Sequence, residues 1–189
     1  MGPIRMHCST RSRLQARVFT ILIMSLLSLT ASSLQAQTRL GIEIGSVPEP
    51  FALETVDGEM VDLADVIGNR PVLIEFWATW CPKCERLHPK MEAAHTEFGD
   101  RVEFYGIAVA MGQKPSTIRK HLKKHPLPFP MLWDADGHAV RQFMVPVTSY
   151  VVILDANGRV AYTGVDSTQD ISGALSRIVG DSQSKPESS

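Results

Sequence analysis

Two cysteines three positions apart, Cys81 and Cys84, enclose Pro82 and Lys83, and this is the group in the chain best equipped for chemistry. Cysteines at that spacing in the first turn of a helix lie close enough to form a disulfide. The run Val72-Leu73-Ile74-Glu75-Phe76-Trp77 just before them reads as a strand buried on both faces. Pro82 suits the first helical position, where a missing N–H costs nothing. The cysteines therefore fall where a buried strand hands over to a helix that starts at Cys81. Unpaired N–H groups and the helix dipole at that end favour a negative group, so the Cys81 thiol is expected below its ordinary pKa. Lys83 is expected to push the same way. Cys84 lies one turn deeper. Cys81 is then the attacking thiol and Cys84 the thiol that resolves the mixed disulfide.

Other readings of these residues compete. A purely structural disulfide across so small a loop constrains the unfolded chain little. A zinc site needs further ligands, and Cys8 is the one other cysteine in the sequence. His88, four residues after Cys84, reads as a helix-surface residue, and His121 and His125 read as part of a solvated basic face with Lys120, Lys123 and Lys124. Glu75 interrupts the apolar strand. Burial would raise its carboxyl pKa and make it a proton relay near neutral pH; the alternative places it at the solvated end of the sheet.

The elements that must position this pair follow from pattern. Phe51–Val56 and Met60–Leu63 flank the turn signal Asp57-Gly58 and read as an N-terminal hairpin. Leu87, Met91, Ala94 and Phe98 give the helix after Cys81 one apolar face, closed by Gly99-Asp100. Val102–Val109 is the next strand, completing a βαβ unit. Pro115–Lys124 reads as an inserted basic surface helix, Met131–Trp133 as a short strand and Ala139–Phe143 as a short helix. Tyr150–Leu154 and Arg159–Thr163 flank Asn157-Gly158, and Ile171–Val179 is a closing helix. The fold class is α/β, with a central mixed sheet.

The 189-residue chain carries a net charge of −1 and no basic stripe interleaved with aromatics, which argues against nucleic acid as a partner. Residues 1–36 contain four arginines and no acid, then an apolar run from Val18 to Leu29 and a small-residue exit at Ala36. That is the pattern of a secretory signal peptide; an uncleaved anchor and a mitochondrial transit peptide are the alternatives. Cleavage would leave 15 basic and 20 acidic residues and remove Cys8, so that Cys81 and Cys84 would be a lone pair in an oxidising compartment. Residues 37–44 read as a linker, 45–180 as the domain and 181–189 as a disordered tail in which Ser, Lys, Pro and Glu dominate.

The segment Phe76-Trp77-Ala78-Thr79-Trp80-Cys81-Pro82-Lys83-Cys84 resembles the active-site motif of the thioredoxin superfamily. Gly45-Ser46-Val47-Pro48-Glu49-Pro50-Phe51-Ala52-Leu53 resembles the entry segment of its exported TlpA/ResA-type branch, and Pro89 also matches that branch. The resemblance covers residues 45–180. It implies a thioredoxin-like three-layer sandwich and a thiol–disulfide oxidoreductase working without a bound cofactor or metal. It also implies protein disulfides as substrates, a membrane-embedded thiol reductase as electron donor, a periplasmic or otherwise extracytoplasmic location and a monomeric chain. Some relatives serve cytochrome c maturation. Trp80, Pro82 and Lys83 belong to the motif, and Glu75 falls at the strand position of a buried carboxylate. Two positions depart from the pattern. Leu87 stands where the branch commonly has Glu. The cis-proline that faces the dithiol in relatives aligns with Ser149, not with Pro146, and the Thr148–Ser149 bond is expected to be trans. Ser149 would then bring a hydroxyl and a backbone N–H towards the sulfurs. A redox-inert peptide-binding module, a peroxidase and a copper-delivery protein are the competing functions. Peroxidases of the peroxiredoxin type hold Thr three residues before the reactive Cys, whereas Thr79 is two before Cys81.

Overall fold

The structure is a computed structural model that describes residues 41–183, with side chains through residue 180. The signal-peptide reading of residues 1–36, Cys8 and residues 184–189 of the expected tail lie outside the described residues. Seven strands form one mixed sheet: β1 (Ala52–Thr55), β2 (Met60–Asp62), β3 (Val72–Trp77), β4 (Glu103–Val109), β5 (Met131–Asp134), β6 (Tyr150–Leu154) and β7 (Val160–Gly164), in spatial order β2-β1-β5-β4-β3-β6-β7. β3, β4 and β5 run parallel, and the remaining neighbours pair antiparallel. The helices are α1 (Pro82–Phe98), α2 (Pro115–Leu122), α3 (His138–Gln142) and α4 (Ile171–Gln183).

β3 lies between β4 and β6, and all six of its side chains are buried, which is why its sequence shows no polar alternation. Successive side chains leave a strand on opposite faces. Phe76 packs at 5.4 Å from Phe143, beside α3, and at 6.1 Å from Tyr150. Glu75 and Trp77 leave the other face, towards α1. α1 turns Cys84, Leu87, His88, Met91, Ala94 and Phe98 inward, the spacing of one helical face. The first turn of α3 is capped from outside by the buried Asp134, whose carboxylate accepts the N–H groups of Ala139 (3.2 Å) and Val140 (2.9 Å).

Three differences from the sequence reading bear on packing and helix length. The return strand stops at Asp62, whose side chain caps a 3-10 turn over Leu63–Asp65 and so turns Leu63 into the core. Within the segment read as a linker, Ile42 is buried and its N–H donates to the Tyr150 hydroxyl at 3.1 Å. Gly41 makes this docking fit: at φ 94° it lies against the Tyr150 ring, where a Cβ would collide with the hydroxyl. α4 runs to Gln183, past the expected end at Val179, because no proline comes before Pro186 to stop it.

Candidate active site

Cys81 is the N-cap of α1: its backbone is extended, at φ −94° and ψ 103°, and its Sγ accepts the Cys84 N–H at 3.1 Å. This is the electrostatic setting in which a thiolate is favoured over a thiol. Cys81 and Cys84 are joined as a disulfide, with Cα atoms 5.3 Å apart. Cys81 retains 6% of its surface while Cys84 retains none, so an incoming group meets the Cys81 sulfur first. Pro82 occupies the first turn of α1 and is exposed.

The loop before Cys81 is fixed from the side. Gln113 accepts the Thr79 N–H (2.9 Å) and donates to the Val109 carbonyl (2.7 Å), and the Trp80 indole N–H donates to the Met111 carbonyl (2.8 Å). Trp80 nevertheless presents about half its surface to solvent. The role of Gln113 has no local sequence signal, since Thr79 is 34 residues away and meets it only through the fold.

Lys83 points away from the role expected for it. Its ammonium contacts the Asp166 carboxylate at 2.6 Å, so its charge is balanced by a partner rather than left beside Cys81. The same contact, with hydrogen bonds from Ser167, pulls the Asp166 carboxyl down to about 2. Asp166 takes φ 77°, a conformation uncommon for a residue with a side chain, and its N–H donates to Ser149 Oγ at 3.2 Å. Ser149 is fully buried at φ 62°. Its N–H donates to the Phe76 carbonyl (2.8 Å), and its carbonyl accepts from Gln169 (3.1 Å), which also bonds the Asp166 carbonyl (2.7 Å). The N–H expected to face the sulfurs is thus committed to β3, leaving the hydroxyl hydrogen as the group Ser149 has to offer. Among the described residues no peptide bond is cis, Thr148–Ser149 included.

Beneath α1, Glu75 is entirely buried and neither carboxyl oxygen has a hydrogen-bond partner within the protein. Burial pushes its pKa up to about 8, because a charge in this apolar setting loses its hydration. The alternative that put Glu75 at the solvated end of the sheet does not hold. His88 was read as a surface residue; it is buried, with Nε2 at 3.7 Å from Glu75 Oε2 and its ring edge-on to Trp77 at 5.8 Å. The separation is short enough for an ion pair, yet burial disfavours the charged form of both partners, and the His88 pKa falls to about 4. Near neutral pH the pair is uncharged. Position 88 borders the face formed by 84, 87 and 91, but its burial is decided by which strand α1 covers. His121, expected in solvent, is half-buried at 5.8 Å from Trp77 and stacks on His125 at 4.8 Å. α2 approaches the same face of the sheet as α1, which a reading of α2 by itself does not show. Among the described residues no cluster of three or more His, Cys, Asp or Glu is arranged to hold a metal ion.

A CXXC disulfide at the mouth of a mixed sheet, its first sulfur capping a helix, is the arrangement a thiol–disulfide oxidoreductase of the thioredoxin-like class requires. Residues 44–163 match the model of the AhpC/TSA family, and the chain belongs to that family. Among curated relatives, the thioredoxin-like protein YneN of Bacillus subtilis is 33% identical over 65% of this chain and 72% of its own. The thiol-disulfide oxidoreductase ResA of Geobacillus thermodenitrificans is 27% identical over 85% of this chain and 92% of its own. A secreted Mycobacterium tuberculosis disulfide oxidoreductase homologous to E. coli DsbE superposes with a TM-score of 0.60 at 26% identity, covering 67% of this chain and 95% of that one. The chain is therefore an enzyme of the ResA/DsbE type.

Proposed function

We propose that this enzyme is exported, monomeric and reduces disulfides in protein substrates, renewed by a membrane-embedded thiol reductase. The observation that carries the reading is the position of Cys81 Sγ, at a helix N-terminus and hydrogen-bonded by the Cys84 N–H. In the reduced form the Cys81 thiolate attacks a substrate disulfide and forms a mixed disulfide with one substrate sulfur. Cys84 then attacks Cys81, the Cys81–Cys84 bond forms, and the substrate leaves as a thiolate that takes a proton from water. Glu75 takes the proton that Cys84 gives up. In the reverse direction, when a donor attacks Cys81, Glu75 returns that proton to the departing Cys84.

A protein substrate is supported by the rim of the site. Trp80 lies next to Cys81, and Met111 lies under its indole N–H. Met144 and Val147 lead into Ser149, and Val165 precedes Asp166. All five are apolar and exposed. Scattered exposed apolar residues are ordinary, but a set on the segments that adjoin Trp80, Ser149 and Asp166 suits an extended, partly apolar peptide. Export is supported by the N-terminal sequence pattern and by the secreted relative.

Equilibration with glutathione buffers tests the direction. A reduction potential of about −200 mV or lower fits a reductant, whereas one near about −120 mV would identify an oxidant. In an insulin-reduction assay, Cys81→Ser should remove activity.

A further inference from the structure

The three polar atoms Glu75 Oε1, Glu75 Oε2 and His88 Nε2 are buried and lack hydrogen-bond partners within the protein. Buried polar groups in native proteins are nearly always paired, so such a cluster calls for a functional account. Glu75 and His88 face each other across 3.7 Å, a small side-chain rotation from a hydrogen bond. His88 is one helical turn beyond Cys84 on the buried face of α1, so it lines the same seam as the resolving sulfur. Its ring also reaches the edge of the domain, because its side chain keeps 9% exposure while Glu75 keeps none.

We propose that His88 is the proton-exchange partner of Glu75, carrying protons between that buried carboxyl and solvent so that Cys84 is served from inside the domain. The inference rests on the relay reading of Glu75 and adds the route by which the relay is reset. His88 is a positioning residue acting through Glu75. The groups that face it are Glu75 on β3, Glu85 on its own helix, His121 on α2 and His125 just past its end, with the Trp77 indole between the helices. His121 and His125 stack on each other beyond that indole and are no link in the route; the inferred exit is the exposed part of the His88 ring itself, apart from the substrate rim. This separation matters because a bound peptide covers the rim during the very step that needs the proton moved.

The balance is simple. For Cys84 to attack, its proton must pass to an ionised Glu75. Below about pH 8 most molecules carry Glu75 protonated and must first lose that proton. Neutral His88, carrying its proton on Nδ1, accepts this one at the buried Nε2 and gives up the Nδ1 proton to water, and no electrons change hands in this exchange. Above that pH Glu75 is already ionised and the route is not needed.

The test is a single turnover of the reduced enzyme, in excess over 5,5′-dithiobis(2-nitrobenzoic acid), read by absorbance. Attack by Cys81 releases the first thionitrobenzoate and resolution by Cys84 the second. His88→Phe keeps a ring against Trp77 but exchanges no proton. It should leave the first phase unchanged and slow the second about tenfold at pH 7, below the usual effect of a directly acting acid–base group. The defect should shrink to within about twofold at pH 9, as expected of a relay whose carboxyl is by then ionised. The Glu75→Gln, His88→Phe double variant should be no slower than Glu75→Gln. If His88→Phe does not fold, His88→Gln carries the same test. A second phase unchanged at pH 7, or slowed equally at both pH values as a structural defect would be, overturns the inference. If Glu75→Gln slows resolution while the His88 variants do not, the relay stands and this route falls. If Glu75→Gln has no effect, both fall.

Discussion

Glu75 and Asp166 approach the dithiol loop from different places, one from the sheet beneath α1 and the other from the loop after β7. Glu75 is wholly buried, unpaired by any cation, and driven up to about 8. Asp166 is partly exposed, bonded to the ammonium of Lys83, and driven down to about 2. The two carboxyls therefore serve opposite ends. The dry one favours its protonated form near neutral pH; the wet one holds a charge there and cancels another. Burial decides the first and a partner the second, so a carboxylate near a reactive thiol cannot be assigned a role from its residue type.

The comparison breaks most visibly through stability. Glu75 has a raised pKa in the fold, so between 4.5 and about 8 the folded state binds more protons than the unfolded chain, and stability falls as pH rises. His88 has a lowered one, so between about 4 and 6.5 it works in the opposite sense and stability rises with pH. The two offset each other below pH 6.5, and above it the Glu75 effect stands uncompensated. Denaturant unfolding at pH 6.5 and 9 should show the wild type losing about 2 kcal/mol relative to Glu75→Gln. Parallel curves for the two proteins would mean that Glu75 is hydrated after all.

A smaller effect is expected on the Asp166 side. Ser149→Ala removes the acceptor of the Asp166 N–H and should cost about 1 kcal/mol, the ordinary worth of one hydrogen bond. Since the Thr148–Ser149 region and the Lys83 bridge are linked through Asp166, the same variant should also loosen the bridge, visible as a rise in the Asp166 carboxyl pKa by NMR. An unchanged Asp166 titration would separate the two contacts.

The smallest effect concerns the sulfur itself. Asp166→Asn frees the Lys83 charge and should lower the Cys81 thiol pKa, by less than about one unit because the half-exposed ammonium is screened by solvent. Lys83→Met made on the Asp166→Asn background should reverse the shift. If Lys83→Met in the wild type moves the Cys81 pKa as much as it does in that background, the bridge is not neutralising Lys83.

What the sequence disclosed and what it hid divide along the same line. The dithiol, its place between β3 and α1 and the N-cap role of Cys81 were legible because each depends on neighbours in the chain: an unbroken apolar run, a proline at the first helical position, an apolar face at helical spacing. Glu75 was legible as a candidate since a lone carboxylate inside such a run stands out. His88 was not, because its burial depends on which strand α1 covers. The Lys83–Asp166 bridge was hidden more deeply. Its partners are far apart in sequence and meet through a left-handed residue at 166 that no glycine announces. Ser149 falls between: its alignment was readable, whereas the commitment of its N–H to Phe76 depends on the pairing of β3 with β6.

The division of labour between the two cysteines is the claim on which all of this depends, and trapping measures it directly. Reduced Cys84→Ser enzyme, mixed with a disulfide-containing protein, should accumulate a mixed disulfide through Cys81 that mass spectrometry of the digested adduct locates. Cys81→Ser should form little or none, since the remaining Cys84 sulfur has no exposed surface. Equal trapping through Cys84, or no adduct on Cys81, would contradict the account.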